Sequence, residues 1–213
     1  MWLIIGGATA VVVLAVLLWR NFQQSRDMQA QKQFADALET YHGEVVAAPA
    51  AAPAQKDRPV FSSETQKYQQ ALAQFEKVYQ RYPSHKIGLL ARYYTALCQQ
   101  ALNKSDQAIR TLTELQSSSD PQFRSLVRNA LADIYRATGK NEQALQLYKA
   151  ILNDPESKFP KDALLLNMAQ TADALGRHSE ATGYYQRLTR EHAQSVYSVE
   201  ARSHIDTTAS TAK

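Results

Sequence analysis

The sequence predicts an all-α protein in which an N-terminal transmembrane helix precedes an α-solenoid of helix-turn-helix repeats. Three observations predict it: a helix-forming composition, an apolar run at the start of the chain, and an alanine-centred pattern that recurs along the rest. Glycine and proline contribute only seven residues each to the 213, whereas Ala, Gln, Leu and Arg are abundant. This composition favours helices over strands.

The apolar run occupies residues 1–19. Thr9 is its only polar side chain, and Arg20 ends it. At about 1.5 Å per residue, the run comes close to the roughly 30 Å thickness of a bilayer's hydrocarbon core. Trp2 and Trp19 lie at its two ends, where amphipathic rings favour the lipid headgroups. We therefore expect residues 1–19 to be a transmembrane anchor.

Other uses of such a run are disfavoured. A cleavable signal peptide needs a basic leading region and a cleavage site of small residues, and the residues around Trp19 offer neither. A lipoprotein anchor needs a cysteine directly after the run, but the only cysteine is Cys98. A buried core helix seldom extends so far without one charged residue.

The orientation of the anchor is less simple. Arg20, Arg26 and Lys32 follow the run, and only the amino group of Met1 precedes it, so the positive-inside rule taken literally places the bulk of the protein in the cytoplasm. The chain begins inside its own apolar run. We hypothesise that Met1 is an internal start and that a basic cytoplasmic leader precedes it; sequencing the N-terminus of the native protein tests this.

Two segments separate the anchor from the repeats. Residues 20–43 predict an amphipathic helical extension, because Phe34, Leu38 and Tyr41 form a stripe that could dock on the first repeat. Residues 44–61 are rich in alanine and proline. Proline breaks helices, and the combination indicates an extended linker. A ligand for a proline-recognising domain is disfavoured, because the segment contains no P-x-x-P.

Residues 62–205 carry the recurring pattern. In each repeat, an alanine expected to be buried is followed four residues later by a large apolar residue. Three of these four alanines come directly after a short polar turn. The alanines are Ala71, Ala108, Ala144 and Ala181, and their large followers are Phe75, Leu112, Tyr148 and Tyr185. This spacing places both on one helix face, where a small residue permits close helix crossing and a large one fills the gap.

The pattern resembles the tetratricopeptide-repeat family, whose units of about 34 residues pair two helices. The residues that match the family pattern best are Ala132, Tyr135, Gly139, Ala144, Tyr148 and Pro155. Here the spacing is slightly longer, the first unit keeps only its second helix, and Asn103 stands where the other turns have glycine. A four-helix bundle is the alternative, but it gives no reason for the same turn chemistry to occur three times. A capping helix then covers the end of the stack, and residues 206–213 are expected to be disordered.

No catalytic chemistry accompanies the repeats. The five histidines have no ligand spacing, and there is no phosphate-binding glycine loop or nucleophile elbow. The 24 basic and 20 acidic residues are dispersed, which disfavours nucleic acid as a partner. We therefore expect no enzyme activity, no metal, no cofactor and no small-molecule substrate, and binding of other proteins instead.

By the geometry of the family, the first helix of each pair lines a concave protein-binding face. The residues expected there are Leu90, Tyr93, Leu97, Gln100, Leu126, Asn129, Asp133, Arg136, Leu166, Gln170 and Asp173. Clamping an acidic C-terminus would need several lysine, arginine and asparagine residues, and only Asn129 and Arg136 would serve. This face is better suited to extended or helical apolar segments.

The whole architecture resembles the bacterial family of ancillary subunits of the Sec translocon, SecYEG. That resemblance implies a single-pass protein of the bacterial inner membrane with periplasmic repeats. Its partners would be translocon subunits, exported chains or periplasmic chaperones. One alternative is a generic envelope scaffold that recruits a dedicated partner. Another is an enzyme or sensor subunit that uses the repeats as a docking arm, which would need a catalytic domain that this chain has no residues left to form.

Overall fold

The computed structural model describes residues 27–46 and 59–211, with side chains up to residue 207. The predicted anchor at 1–19 lies outside the described residues. Within the part of the chain that is described, no helix combines the length and the apolar character needed to cross a membrane. The chain divides into two compact units, Met1–Leu102 and Asn103–Lys213.

The described elements are nine helices and two short strands. Unit 1 contains helix α1 over 27–41, whose start lies outside the described residues, followed by β1 (Glu44–Val45), β2 (Val60–Phe61), α2 (Glu64–Arg81) and α3 (Lys86–Ala101). Unit 2 contains α4 (Ser105–Leu115), α5 (Pro121–Ala137), α6 (Asn141–Leu152), α7 (Lys161–Ala174), α8 (His178–Glu191) and α9 (Ser198–Thr211).

In unit 1, α1 packs into the same core as α2 and α3. Ala30 and Ala37 on α1 are buried, and the Phe34 ring lies 5.7 Å from the rings of both Phe75 and Tyr94. The small residues let the helix backbones approach, and the aromatic ring fills the space between them. Helix α1 thus takes the place of the first helix that the sequence pattern left missing from the first repeat.

A two-residue parallel bridge joins the ends of the Ala/Pro-rich segment. Glu44 pairs with Val60 and Val45 with Phe61, and the Val46 amide donates to the Phe61 carbonyl at 3.0 Å. The structure differs here from the expected extended spacer, because the residues on either side of the segment lie next to each other. Helix α1 ends at Tyr41, and its aromatic stripe is buried only if α1 lies against α2.

Helix α2 begins at the expected cap. The Ser63 side chain accepts a hydrogen bond from the Gln66 amide at 3.1 Å, as an N-cap serine does. The Gln66 side chain reaches back to the Ser62 amide at 3.1 Å, one residue before the position that a standard capping box uses. Two backbone donors at the start of the helix are therefore satisfied.

The helix pairs of unit 2 are joined by left-handed turns. Gly139 has φ +75° and Gly176 has φ +72°. After each glycine, the next amide bonds back across the helix end: Lys140 to the Tyr135 carbonyl at 2.8 Å, and Arg177 to the Ala172 carbonyl at 2.9 Å. These bonds form the Schellman arrangement that ends a helix.

Asn103 fills the equivalent position with φ 59°. This confirms the expectation that it replaces a turn glycine, since asparagine tolerates the left-handed region better than most residues.

The repeated core stripe is buried as predicted. The four anchoring alanines are at most 1% exposed, and the large residues that follow them are at most 2% exposed. In unit 2, Tyr148 and Tyr185 each fill the space beside the preceding first helix. The end of the chain differs from the expected disordered tail, because α9 continues to Thr211. Its packed first turns remove the cost of nucleation, so each further residue adds a backbone bond.

Candidate protein-binding face

In unit 1, the predicted face residues belong to α3, and their exposure is uneven. Leu90, Leu97 and Gln100 are half-buried, whereas Tyr93 is 8% exposed and its ring packs edge-on against Tyr94 at 5.6 Å. The Gln100 Oε1 atom is buried and has no hydrogen-bond partner in the described part of the chain. Leu97 therefore offers more surface for a partner than Tyr93, which serves the packing of α3.

In unit 2, a row of polar side chains connects the first helices of successive pairs. Arg136 on α5 donates from Nη1 to Gln170 Oε1 on α7 at 2.8 Å. Gln170 in turn donates from Nε2 to Glu200 Oε1 on α9 at 2.8 Å. Each bond spans two different helices, so the row fixes the spacing of α5, α7 and α9 on this side. We call the row and its neighbours Asp133 and Asp173 the polar face of unit 2.

Asp133 lies at the α5 end of the polar face and is held from two sides. Asn129 donates from Nδ2 to Asp133 Oδ2 at 2.9 Å, and the Tyr148 hydroxyl of α6 donates to Oδ1 at 2.5 Å. Burial, and then the bond to this carboxylate, raise the pKa of Tyr148. The Asn129 Oδ1 atom is buried without a hydrogen-bond partner in the described part of the chain.

Asp173 lies at the other end of the polar face. Its Oδ1 atom is 3.1 Å from Nδ1 of His178, which starts α8. Tyr185 of α8 lies below it, only 2% exposed. Burial raises the pKa of Tyr185 to about 12, and the Asp173 and Glu200 carboxylates add to the effect. Two carboxylates on different helices thus act on one buried hydroxyl.

The apolar part of the face is smaller than predicted. Leu126 is half-buried, but Leu166 is 7% exposed because it packs in the core between α7 and α8. The polar face carries the Asp133, Asp173 and Glu200 carboxylates against the single Arg136 guanidinium. With neutral histidines its charge is therefore negative, and it differs from a surface made to hold an acidic chain end.

Sequence reasoning missed Glu200. The sequence predicts α9 as a capping helix, which places none of its residues on the face, but Glu200 contacts Gln170 as Gln170 contacts Arg136. The signal was the distance along the chain: Glu200 follows Gln170 by 30 residues and Gln170 follows Arg136 by 34. A spacing of about one repeat unit indicates equivalent positions on successive helix pairs.

Groups suited to other chemistry are not assembled in the described residues. No cluster of three or more potential metal ligands occurs among them. The Cys98 thiol is buried, and burial, followed by the charge of Glu76, raises its pKa to about 12. A thiol in that state is a packing residue rather than a nucleophile.

Comparison with known families identifies the repeats. Two family models, each described as a tetratricopeptide repeat, match the chain, one over residues 128–158 and the other over 90–119 and 162–195. The chain therefore contains tetratricopeptide repeats, which indicate a module for protein–protein interaction. This fold is typically a non-enzymatic scaffold. No curated protein sequence matches the chain significantly.

Solved structures share the fold at low sequence identity. The tetratricopeptide-like repeats of a candidate kinesin light chain from Podosopora anserina align with a TM-score of 0.59, with 83% of each chain covered. The identity is 16% for that protein and 15% for a single-residue variant of it. A tetratricopeptide repeat protein from Parabacteroides merdae aligns with a TM-score of 0.56 and 14% identity, over 67% of this chain and 54% of its own.

Proposed function

We propose that this protein is a membrane-anchored module that binds other proteins through the inner faces of its tetratricopeptide repeats. The observation that carries the proposal is the polar face of unit 2, where Arg136, Gln170 and Glu200 are aligned across three helices, and half-buried Leu126 lies earlier on the same helix as Arg136. A preorganised row of donors and acceptors suits an extended segment, because little side-chain entropy is lost when it binds. The apolar run at 1–19 supports the anchor.

The finer proposal concerns the place of action. We propose that the repeats face the periplasm of a bacterial inner membrane and assist exported proteins as an ancillary subunit of the Sec translocon or as a chaperone. The support is the order of anchor, helical extension and repeats in the sequence. An alkaline-phosphatase fusion after Lys213 tests the topology: an active fusion is expected, whereas a stable, inactive fusion would contradict the periplasmic location.

Protein binding by the face is tested with a photocrosslinking amino acid in the full membrane-bound chain. We expect a crosslinker at Leu126, half-buried on the inner side of α5, to capture protein partners. A crosslinker at Gln146, exposed on α6, is the matched control and is expected to capture far less. Equal yields at both positions would contradict binding by this face.

The identity of the captured proteins separates the two functional readings. Translocon subunits and exported chains are expected in the Leu126 crosslinks, and channel subunits should co-purify in mild detergent. Alanine at Leu97 or Leu126 should reduce the yield, and both are better choices than the more deeply buried Tyr93. A single dedicated envelope protein, with no channel subunit, would instead support the generic scaffold.

A further inference from the structure

One end of the polar face combines two carboxylates with a buried hydroxyl. Asp173 on α7 and Glu200 on α9 flank Tyr185 of α8, whose ring stacks on the His204 ring with 4.7 Å between centroids and 7° between planes. Glu200 is fixed by Gln170 at 2.8 Å, and Asp173 by the contact to His178 at 3.1 Å. All six side chains belong to unit 2, and helices α7, α8 and α9 position them.

The Tyr185 hydroxyl is the unusual member of this group. Its residue is 2% exposed, and the hydroxyl oxygen is buried without a hydrogen bond of ordinary geometry in the described part of the chain, although the nearby Asp173 carboxylate helps to raise its pKa. Tyr148, at the equivalent position one repeat earlier, donates to Asp133 instead. Buried hydroxyls are rarely left unpaired, because desolvation costs about 1–3 kcal/mol when no bond replaces water. The hydroxyl therefore indicates a position where an external group completes the site.

The charge of the site indicates which kind of group fits. Asp173 is in contact with the His178 ring, and Glu200 accepts a hydrogen bond from the Gln170 amide. Neither carboxylate pairs with a lysine or arginine in the described part of the chain. Arg136, the one cation of the polar face, donates to Gln170. Two carboxylates without a cation between them repel each other, and a bound positive charge relieves that repulsion.

We infer that Asp173, Glu200 and the Tyr185 hydroxyl bind the guanidinium group of an arginine side chain in a partner segment. A guanidinium is planar and carries five N–H donors, so it can donate to carboxylates on two different helices and to the hydroxyl oxygen between them. The partner is a chain rather than a free small molecule because the polar face continues to Asp133, and Leu126 lies about two turns before Asp133 on α5. This inference rests on the proposed function and specifies the chemistry of the bound segment.

The test uses the full chain in mild detergent and a set of fluorescent nine-residue peptides of Ala, Gln, Leu and Ser. The peptides differ only at the central position, which is arginine, lysine or citrulline; citrulline has nearly the shape of arginine but no charge. Fluorescence anisotropy is expected to give an affinity for the arginine peptide about tenfold higher than for the citrulline peptide, with lysine between them. The preference should shrink at high salt.

Variants locate the effect on the protein. Glu200→Gln and Asp173→Asn should each remove most of the preference for arginine over citrulline, measured as the ratio of the two affinities for the same variant. Asp206→Asn is the control, because Asp206 is an exposed carboxylate on α9 about 120° around the helix from Glu200. Tyr185→Phe removes only the hydroxyl and should lower the arginine affinity by a factor of about three to ten. Circular dichroism of each variant checks that the helices persist.

The possible failures are distinguishable. Equal binding of the arginine and citrulline peptides would overturn the arginine site, as would failure of the arginine peptide to bind below roughly 1 mM. A preference that survives both Glu200→Gln and Asp173→Asn would also overturn it. None of these results affects the photocrosslinking at Leu126, which tests protein binding independently; loss of that crosslink with an intact arginine preference would instead contradict the proposed function.

Discussion

The Tyr148 hydroxyl of α6 donates to the Asp133 carboxylate of α5 at 2.5 Å. This bond joins the two helices of one repeat across their interface, below the polar face. Tyr185 occupies the same position in the next repeat, but its hydroxyl lacks such a partner. Two tyrosines of the same type and burial therefore contribute differently to stability, and one carries a functional prediction that the other does not.

Removing each hydroxyl tests this difference. We expect Tyr148→Phe to lower the free energy of unfolding by about 1–3 kcal/mol, because Asp133 loses a buried donor. The matched variant Tyr185→Phe should change it by less than about 0.5 kcal/mol, because no bond is lost. Urea titration followed by circular dichroism measures both values. Equal losses in the two variants would show that Tyr185 makes an internal bond after all.

Two glycines in helices predict opposite effects of a single methyl group. A Cβ at Gly88, in the first turn of α3, would overlap the backbone oxygen of Tyr82, whereas one at Gly183, in α8, would meet nothing within 4 Å. Gly88→Ala should therefore destabilise unit 1 by about 2–4 kcal/mol, since backbone must move.

Gly183→Ala should stabilise the chain by about 0.5–1 kcal/mol, because alanine is the better helix former. Thermal unfolding of the two variants beside the parent measures both effects. A stable Gly88→Ala variant would contradict the close approach of α3 to the end of α2.

Acid is expected to weaken the contacts around the α6–α7 loop. Arg124 donates to Asp154 at 2.9 Å, and this bond, followed by one from the Glu156 amide, holds the pKa of Asp154 below its ordinary value. A carboxyl whose folded pKa is lowered stabilises the fold above its unfolded pKa of about 4, and that contribution disappears as the pH falls through the folded value.

Asp154→Asn should accordingly be less stable than the parent at pH 7, and the difference should shrink below about pH 4. Urea unfolding at a series of pH values measures it, with the exposed Asp206→Asn as control. A difference that stays constant with pH would mean that Asp154 acts by shape and not by charge.

The place of α1 in unit 1 is open to a direct test. Phe34 packs on Phe75 and Tyr94, so Phe34→Ala should remove about 2–4 kcal/mol from the stability of unit 1. Lys32→Ala, an exposed position on the same helix, should change stability by less than about 0.5 kcal/mol. Hydrogen exchange of α2 amides measures both, and protection unaffected by Phe34→Ala would contradict the shared core.

The repeat pattern predicted the helix pairs because it depends on local sequence. Ala144 with Tyr148 marks a helix crossing wherever it occurs, and Gly139 and Asn103 mark the turns by their backbone conformation. Such signals lie within a few residues of the structure they specify. Helix existence and the buried stripe could therefore be predicted without any knowledge of how distant segments meet.

Features that depend on distant segments were harder to predict. The return of the chain at Glu44 and Val60 follows from aromatic packing of α1, which proline-rich composition alone does not reveal. For the candidate site, helix-face geometry identified Asp133, Arg136 and Gln170 but not Glu200. Whether Tyr93 or Leu97 is exposed depends on their neighbours, since both belong to one apolar helix.

The parallel bridge between Glu44–Val45 and Val60–Phe61 holds α1 to unit 1 independently of the chain segment that connects them. If the peptide chain were cut anywhere within 47–58, α1 would remain held by the bridge and by its aromatic contacts, as the fragments of a split protein hold each other. Proteolysis there would break the covalent link between α1 and the repeats, but the two fragments would stay associated. The strength of any tether that passes through α1 would then equal the strength of this non-covalent packing.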